Sequence, residues 1–347
     1  MFTDFQLDWH YGHDWPEWGS APRLPLVRLD GMHQGEWLDS VAGTDPATGA
    51  PCIYQVLRCE LCISTHVYPL PSERALAHYY ATQFYTVDKP DYVERYERDR
   101  AWWEQCVHRP LLTGLQRPEA RPRLLDVGAG PGIALDVARQ LGWETWGIEP
   151  DPALATALAQ RGHKGWPGVL SEDRTLPGVC GWLWGQPGSF DVVYAYEVVE
   201  HQPCPESFLL ACAALLKPGG SLVIVVPNDY NPAQLAARQQ LQVPPYWLAP
   251  PQHLHYFTPK TLQLLVRRCG FRVEDLRGTY PLDRALTEGE NYLGNDTLGR
   301  AVHQRRMAEE LASLADGTWA DREALYRGNL TYYRLGRELV CVARKTL

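Results

Sequence analysis

A chain of 347 residues with 45% hydrophobic and 21% charged residues has the composition of a globular protein larger than one ordinary domain. Its formal net charge of −8 argues against a nucleic-acid footprint, which needs clustered Lys and Arg. No apolar run reaches membrane-span length, Met1 to His10 lacks the features of a signal peptide, and nine scattered cysteines suit reduced thiols, so a cytoplasmic, membrane-free location is expected.

Residues 1–71 are rich in Pro, Gly and Trp with little helical periodicity, which predicts a loop-rich segment with short strands, Tyr54 to Arg58 among them. Cys59 and Cys62 stand there with two residues between them. From Ser72 the pattern turns helical, with Leu76, Tyr79 and Tyr80 on one face, and a second helical stretch runs from about Asp91 to Leu115. Residues 72–120 therefore form a helical linker or lid, in which Tyr79, Tyr80 and Tyr85 either cover a site or pack as an amphipathic face.

Residues 121–282 alternate strand and helix, which predicts a parallel sheet covered on both faces. The first strand, Arg123 to Val127, enters a turn holding Gly128, Gly130 and Gly132. The next helix carries Ile133, Val137 and Leu141 on one face and stops at Gly142. A second strand ends at Glu149. Asp151 caps the following helix, Pro152 fits its first turn, Leu154 and Leu158 face inward, and Gly162 ends it. Thr258 and Pro259 start a later helix ending near Gly270, and Phe271 to Arg277 reads as the sixth strand. Residues 283–330 form a helical insertion, with Leu298, Val302 and Arg305 at helical spacing. Residues 331–347 hold a last strand, Glu338 to Ala343.

The glycine turn carries chemistry. Without side chains the backbone turns tightly and exposes its N–H groups to a ligand, while a carboxylate about 20 residues on can accept both hydroxyls of a ribose. Asp126, two residues before the first glycine, would repel a pyrophosphate, and the spacing is G-x-G-x-G rather than that of a dinucleotide fingerprint. S-adenosylmethionine (SAM) has an ammonium and a sulfonium and no phosphate, so SAM is the expected cofactor.

Four stretches in order, Leu124 to Gly132, Ser189 to His201, Leu216 to Asn228 and His253 to Leu262, resemble the motifs of small-molecule class I SAM-dependent methyltransferases. The resemblance implies a Rossmann-like α/β fold with a mostly parallel seven-stranded sheet, whose last strand inserts antiparallel beside the sixth. It implies cofactor contacts from Asp126, Gly128, Ala129, Gly130, Glu149, Pro150, Tyr196 and Glu197, with Glu172 of Ser171-Glu172-Asp173 on the adenine side. Cys59-Glu60-Leu61-Cys62 resembles one half of an N-terminal zinc ribbon found in some such enzymes, among them sugar C-methyltransferases. The first knuckle is missing, and Ile63 replaces the usual glycine. Cys52, His33 or His66 would have to join Cys59 and Cys62 to reach four ligands. A metal-free relic is the alternative.

Methyl transfer is an in-line displacement in which positioning supplies much of the rate, and a hydroxyl acceptor gains from a general base. His201 leaves the fourth strand at the ligand-binding edge, and His253 and His255 lie in the segment implied to cover the same cleft, behind the aromatic pair Tyr246 and Trp247. His253 or His201 is the expected base, although a structural turn at Glu200-His201 or a backbone-bonded histidine would read the same way. Gln252 stands where the sugar C-methyltransferases carry a Glu beside the His, which disfavours C-methylation of a nucleotide-linked keto sugar. O-methylation of a sugar or secondary-metabolite hydroxyl leads, and a non-catalytic SAM-binding partner subunit is the rival from another class. Val226 to Tyr230 approaches the Asn/Asp-Pro-Pro-Tyr motif of DNA amino-methyltransferases, but it follows the fifth strand and lacks the second proline.

Overall fold

Two sheets organise the chain, and β-strand patterning explains one better than the other. The structure, a computed structural model, describes residues 26–28 (backbone), 33–62, 64–115, 121–171, 183 and 185–346. In the first sheet, β1 (Leu26–Arg28), β2 (Gln34–Thr44), β3 (Pro51–Cys59) and β4 (Ser64–Tyr68) pair antiparallel in chain order. The expectation of loops and short strands is corrected here: β2 and β3 form a hairpin of 11 and 9 residues. A register shift between Trp37 and Asp39 breaks the period-two pattern, and Gly35 passes so close to β3 that a Cβ would fall 2.0 Å from Arg58 O. Both features hide a strand from sequence reading.

The chain then runs through α1 (Glu73–Thr82), α2 (Tyr92–Arg98), α3 (Arg100–Trp102) and α4 (Arg109–Thr113), with π-helical turns at Phe84–Asp88 and Trp103–His108. The second sheet is built from β5 (Arg123–Val127), α5 (Ile133–Gln140), β6 (Glu144–Glu149), α6 (Pro152–Gln160), β7 (Lys164–Pro167), β8 (Phe190–Tyr196), α7 (Pro205–Leu215) and β9 (Leu216–Pro227). After α8 (Pro232–Leu241), β10 (His255–Tyr256) leaves this layer and pairs with β4, extending the first sheet. The remaining elements are α9 (Pro259–Arg268), β11 (Phe271–Gly278), α10 (Arg284–Thr287), α11 (Asp296–Ala315), α12 (Trp319–Tyr333) and β12 (Glu338–Lys345).

The second sheet has the order β11-β12-β9-β8-β5-β6-β7, with β12 antiparallel to both neighbours and β9, β8, β5, β6 and β7 parallel. This is the Rossmann-like arrangement expected from sequence. Strand order reverses between β5 and β8, so the crevice at their carboxyl ends is the ligand site such a sheet offers. The apolar runs of β8 and β9 are buried on both faces, with Val193, Ile224 and Phe208 in one core layer and Val192, Val223 and Leu135 in the other. Capping is local: Asp151 Oδ1 accepts from Leu154 N–H at 2.8 Å to start α6, and Thr258 Oγ1 accepts from Thr261 N–H to start α9.

One expectation changes at this level. Cys52 lies at the start of β3 opposite Gly43, while Cys59 closes that strand. Seven strand residues separate them by about 23 Å, so Cys52 cannot share an ion with Cys59. Glu172 lies outside the described residues. Among those described, no helix is long and apolar enough to cross a membrane.

Candidate active site

The turn after β5 sits at the switch point. Gly128 N–H and Ala129 N–H donate to Ile148 O at 2.8 and 3.0 Å, fastening the turn to the end of β6. Gly128 has φ +71°, and a Cβ there would fall 2.6 Å from Val198 Cγ2, so only glycine fits. Glu149 is buried and its two oxygens accept from Gly130 N–H at 2.8 Å and Asp151 N–H at 3.0 Å, which aims the carboxylate across the turn. Burial pushes its carboxyl up to about 7 against those hydrogen bonds. Asp126, also buried, is raised well above the usual range by burial and then by Glu149. Both carboxyls would ionise more readily beside a cation, which suits a ligand with an ammonium and a sulfonium.

Asp126, Gly128, Ala129, Gly130 and Tyr196 line one cleft, as the sequence reading placed them, and Tyr92, Tyr96, His108 and Tyr194 complete it. These last four were missed. Tyr85, Tyr92, Tyr96 and Trp103 are spaced by seven, four and seven residues, a helical stripe that could have revealed them. Their rings form a ladder, with Tyr92 stacked on Tyr96 at 4.5 Å and Tyr96 on Trp103 at 4.4 Å. Tyr85 lies beside Glu149: burial and then that carboxylate hold its hydroxyl well above the usual range. Glu197 ends β8 with φ 53°, a strained backbone for a residue with a side chain, and burial lifts its carboxyl to about 7. Pro150 follows Glu149 at the rim, half-buried.

His201 and His253 meet with ring centroids 5.0 Å apart. His201 Nδ1 lies within hydrogen-bond distance of Gln252 O and of the Tyr80 hydroxyl, the latter at 2.9 Å. The Gln252 carbonyl only accepts, so Nδ1 carries the proton and Nε2 keeps its lone pair. That Nε2 is 3.7 Å from Glu200 Oε1. Glu200 is fully buried, and among the described residues neither its carboxylate oxygens nor His253 Nδ1 has a hydrogen-bond partner. Burial lifts the Glu200 carboxyl well above its usual range, lowers His201 to about 4 and lowers His253 well below its usual value. The cluster is thus a neutral acid between two neutral imidazoles, able to take a proton. One ligand atom from each lies within 4.8 Å of the others, a spacing that would also accept a metal ion. Tyr80, Phe84 and Tyr85 connect this cluster to Glu149 through ring contacts of 5.2 and 4.8 Å.

His255 does not share this cleft. It stacks on Phe257, and its Nδ1 lies 3.4 Å from Ser64 Oγ in the first sheet. Tyr246 and Trp247 pack on the same side as Tyr230 and Tyr256, with Tyr246 donating to Asp283 Oδ1 at 3.1 Å. Cys59 and Cys62 come together with His33 and His66, without Cys52.

The profile of a methyltransferase domain family matches residues 96–276, a little over half of the chain. Among curated proteins, the chain is 35% identical over 162 residues to a ubiquinone biosynthesis O-methyltransferase of Xanthomonas euvesicatoria, covering 46% of this chain and 66% of that protein. It is 28% identical over 207 residues to the enzyme of the same name from Thiobacillus denitrificans, covering 55% and 87%. The chain thus spans just under two thirds of the first relative. A solved SAM-dependent methyltransferase from Mesorhizobium loti aligns at 20% identity and a TM-score of 0.41, over 68% of this chain and 96% of that one, too low an overlap to add to the sequence match. The sheet order and the profile agree: the chain belongs to the class I SAM-dependent methyltransferase family.

Proposed function

We propose that the protein methylates a hydroxyl of a small molecule, of the sugar or secondary-metabolite class, with SAM as donor. The observation that carries this reading is the pair of half-buried, neutral imidazoles, His201 and His253, joined through Tyr80, Phe84 and Tyr85 to the carboxylate at the end of β6. The names of the two relatives support O-methylation as the reaction type. Residues 33–95 and the helices after residue 283 lie outside the matched profile, so the acceptor walls belong to this chain and the relatives' acceptor is not carried over.

In this reading Glu149 takes the ribose hydroxyls, and Asp126 with the turn of Gly128 to Gly130 faces the amino-acid end of the donor. Bound SAM would supply a methyl group on a sulfonium. His253 accepts the acceptor's hydroxyl proton through its unpartnered Nδ1 as the oxygen–carbon bond forms and the carbon–sulfur bond breaks. Glu200 faces the imidazoles, and the cation that forms there makes its carboxyl, neutral at rest, easier to ionise. Gln252, whose amide donates to the Tyr79 hydroxyl at 3.1 Å, offers no carboxylate of its own, which disfavours the C-methylating alternative.

The test is a methyl-transfer screen over hydroxyl acceptors with wild type and His253→Ala. A drop of about 10²–10⁴-fold in kcat, with S-adenosylhomocysteine affinity unchanged, is expected. Tight S-adenosylhomocysteine binding with no turnover on any acceptor would instead support the non-catalytic partner subunit.

A further inference from the structure

The geometry points to a tetrahedral zinc site formed by His33, Cys59, Cys62 and His66, which holds β4, the strand that pairs with the segment just after His253. One ligand atom from each residue lies within 4.8 Å of the other three. Two thiols and two imidazoles are a donor set that zinc takes as a closed structural site. His33 Nδ1 is 3.5 Å from Cys62 Sγ, close to the edge of about 3.5 Å expected between nitrogen and sulfur on one tetrahedral zinc ion.

The surroundings support the same assignment. His66 Nδ1 lies 2.8 Å from Val67 O, so that nitrogen carries the proton and Nε2 presents its lone pair. Nε2 is fully buried and has no hydrogen-bond partner among the described residues. Cys62 N–H donates to Cys59 Sγ at 3.4 Å, a contact that favours the thiolate form a metal requires. Cys59 itself is buried in the hairpin where β3 turns toward β4, so the two-residue spacing brings both sulfurs to one side.

The site's position explains what it would do. His66 stands directly opposite His255 in the β4–β10 pair, with the two rings 5.5 Å apart. Val67 N–H donates to Leu254 O, and Leu254 N–H donates to Glu200 O, both at 2.9 Å. A short backbone path therefore leads from the ion through β4 to His253 and Glu200. The strand β10 has only two residues. Such a short strand has little stability of its own, so a metal fixing β4 would set the position of the histidine segment without touching the acceptor.

Metal analysis of the full chain purified without chelator should find one zinc ion per chain, retained in Cys52→Ser and lost in the Cys59→Ser/Cys62→Ser double variant. Cobalt(II) loaded into wild type should give thiolate charge-transfer absorption and tetrahedral visible bands, a readout that stands even if the double variant does not fold. Stripping the metal from wild type should speed amide exchange in residues 64–68 and 253–256 while leaving S-adenosylhomocysteine affinity within about twofold, because none of the four ligands lines the cofactor cleft. A chain free of metal after incubation with zinc, or a metal without thiolate bands that persists in the double variant, would overturn the site. Unchanged exchange in both segments would overturn its positioning role.

Discussion

On the cofactor side of the cleft, Asp126, Gly128, Gly130 and Glu149 come from two adjacent strands and the turn between β5 and α5, all within 24 residues of sequence. On the acceptor side, Tyr80, Glu200, His201, Gln252 and His253 come from three separate segments, tied through Leu254 to the first sheet, whose strands run from β1 to β10. The first half is fixed by local geometry: a glycine that no other residue can replace and a carboxylate tied by two backbone N–H groups. The second depends on distant parts packing correctly, including the helical insertion. The two halves should therefore fail differently when perturbed, and the following variants are chosen to separate them.

The largest effect is expected where the helical insertion docks against α3 and β12. Glu310 of α11 is buried and accepts from Trp102 Nε1 and from the Tyr326 hydroxyl, each at 2.7 Å, and lies 3.4 Å from the equally buried Arg306. Arg306 also reaches Glu338 of β12 at 3.4 Å and lies over the Trp102 ring. Glu310→Ala leaves a buried guanidinium short of a partner and two donors without acceptors. Denaturant unfolding should show a loss of about 3–5 kcal/mol. A loss under about 1 kcal/mol would mean that the insertion is only loosely docked and the comparison is wrong.

Glu149→Ala addresses the other half. Losing two hydrogen bonds from ribose hydroxyls to a charged acceptor, at about 1.5–3 kcal/mol each, should weaken S-adenosylhomocysteine at least about 100-fold by calorimetry. The melting curve of the unliganded protein should hardly move. The same carboxylate sets a pH dependence. It titrates at about 7 in the empty protein because burial disfavours its charge, and the ligand binds the ionised form. Below that value a proton must leave on binding, so affinity should fall about tenfold per pH unit from 7 downward and level off above it. Glu149→Gln should flatten the profile; an unchanged slope would assign the titration to another group.

The same contrast decides what could be read from the sequence. The turn, its helix caps and the alternation of strands and helices follow from short-range signals, namely apolar runs, Asp151-Pro152, Thr258-Pro259 and glycines at helix ends, while the arrangement of the second sheet came from the family resemblance. Of the first hairpin, Tyr54 to Arg58 in β3 was legible, while β2 was not, because a bulge and a close glycine contact erase its alternation. The pairing of β10 with β4 joins residues some 190 apart, and no local pattern encodes it. His33 and His66 could be named as candidate ligands only by residue type; what unites them with Cys59 and Cys62 is the pairing of β2, β3 and β4. The tyrosine ladder was legible in principle from its helical spacing, yet only tertiary packing aims it at the glycine turn.

The smallest effect concerns Tyr85, where the two halves touch. An ionised carboxylate offers about four lone-pair positions. In Glu149 two are taken by Gly130 N–H and Asp151 N–H, which leaves two for the hydroxyls of a ribose, and the neighbouring Tyr85 hydroxyl competes for them. The tyrosine must stay off the carboxylate for the donor to bind fully. Tyr85→Phe removes that competitor and keeps the ring in its contacts with Phe84 and Tyr92. Because burial keeps Glu149 about half protonated near pH 7 in the empty protein, that competition is worth about 0.5–1.5 kcal/mol net, and its removal should give S-adenosylhomocysteine binding about two- to tenfold tighter. Weaker binding would carry the opposite lesson: the hydroxyl would then belong to the closed, liganded site, and the aromatic segment would serve the cofactor as well as the acceptor.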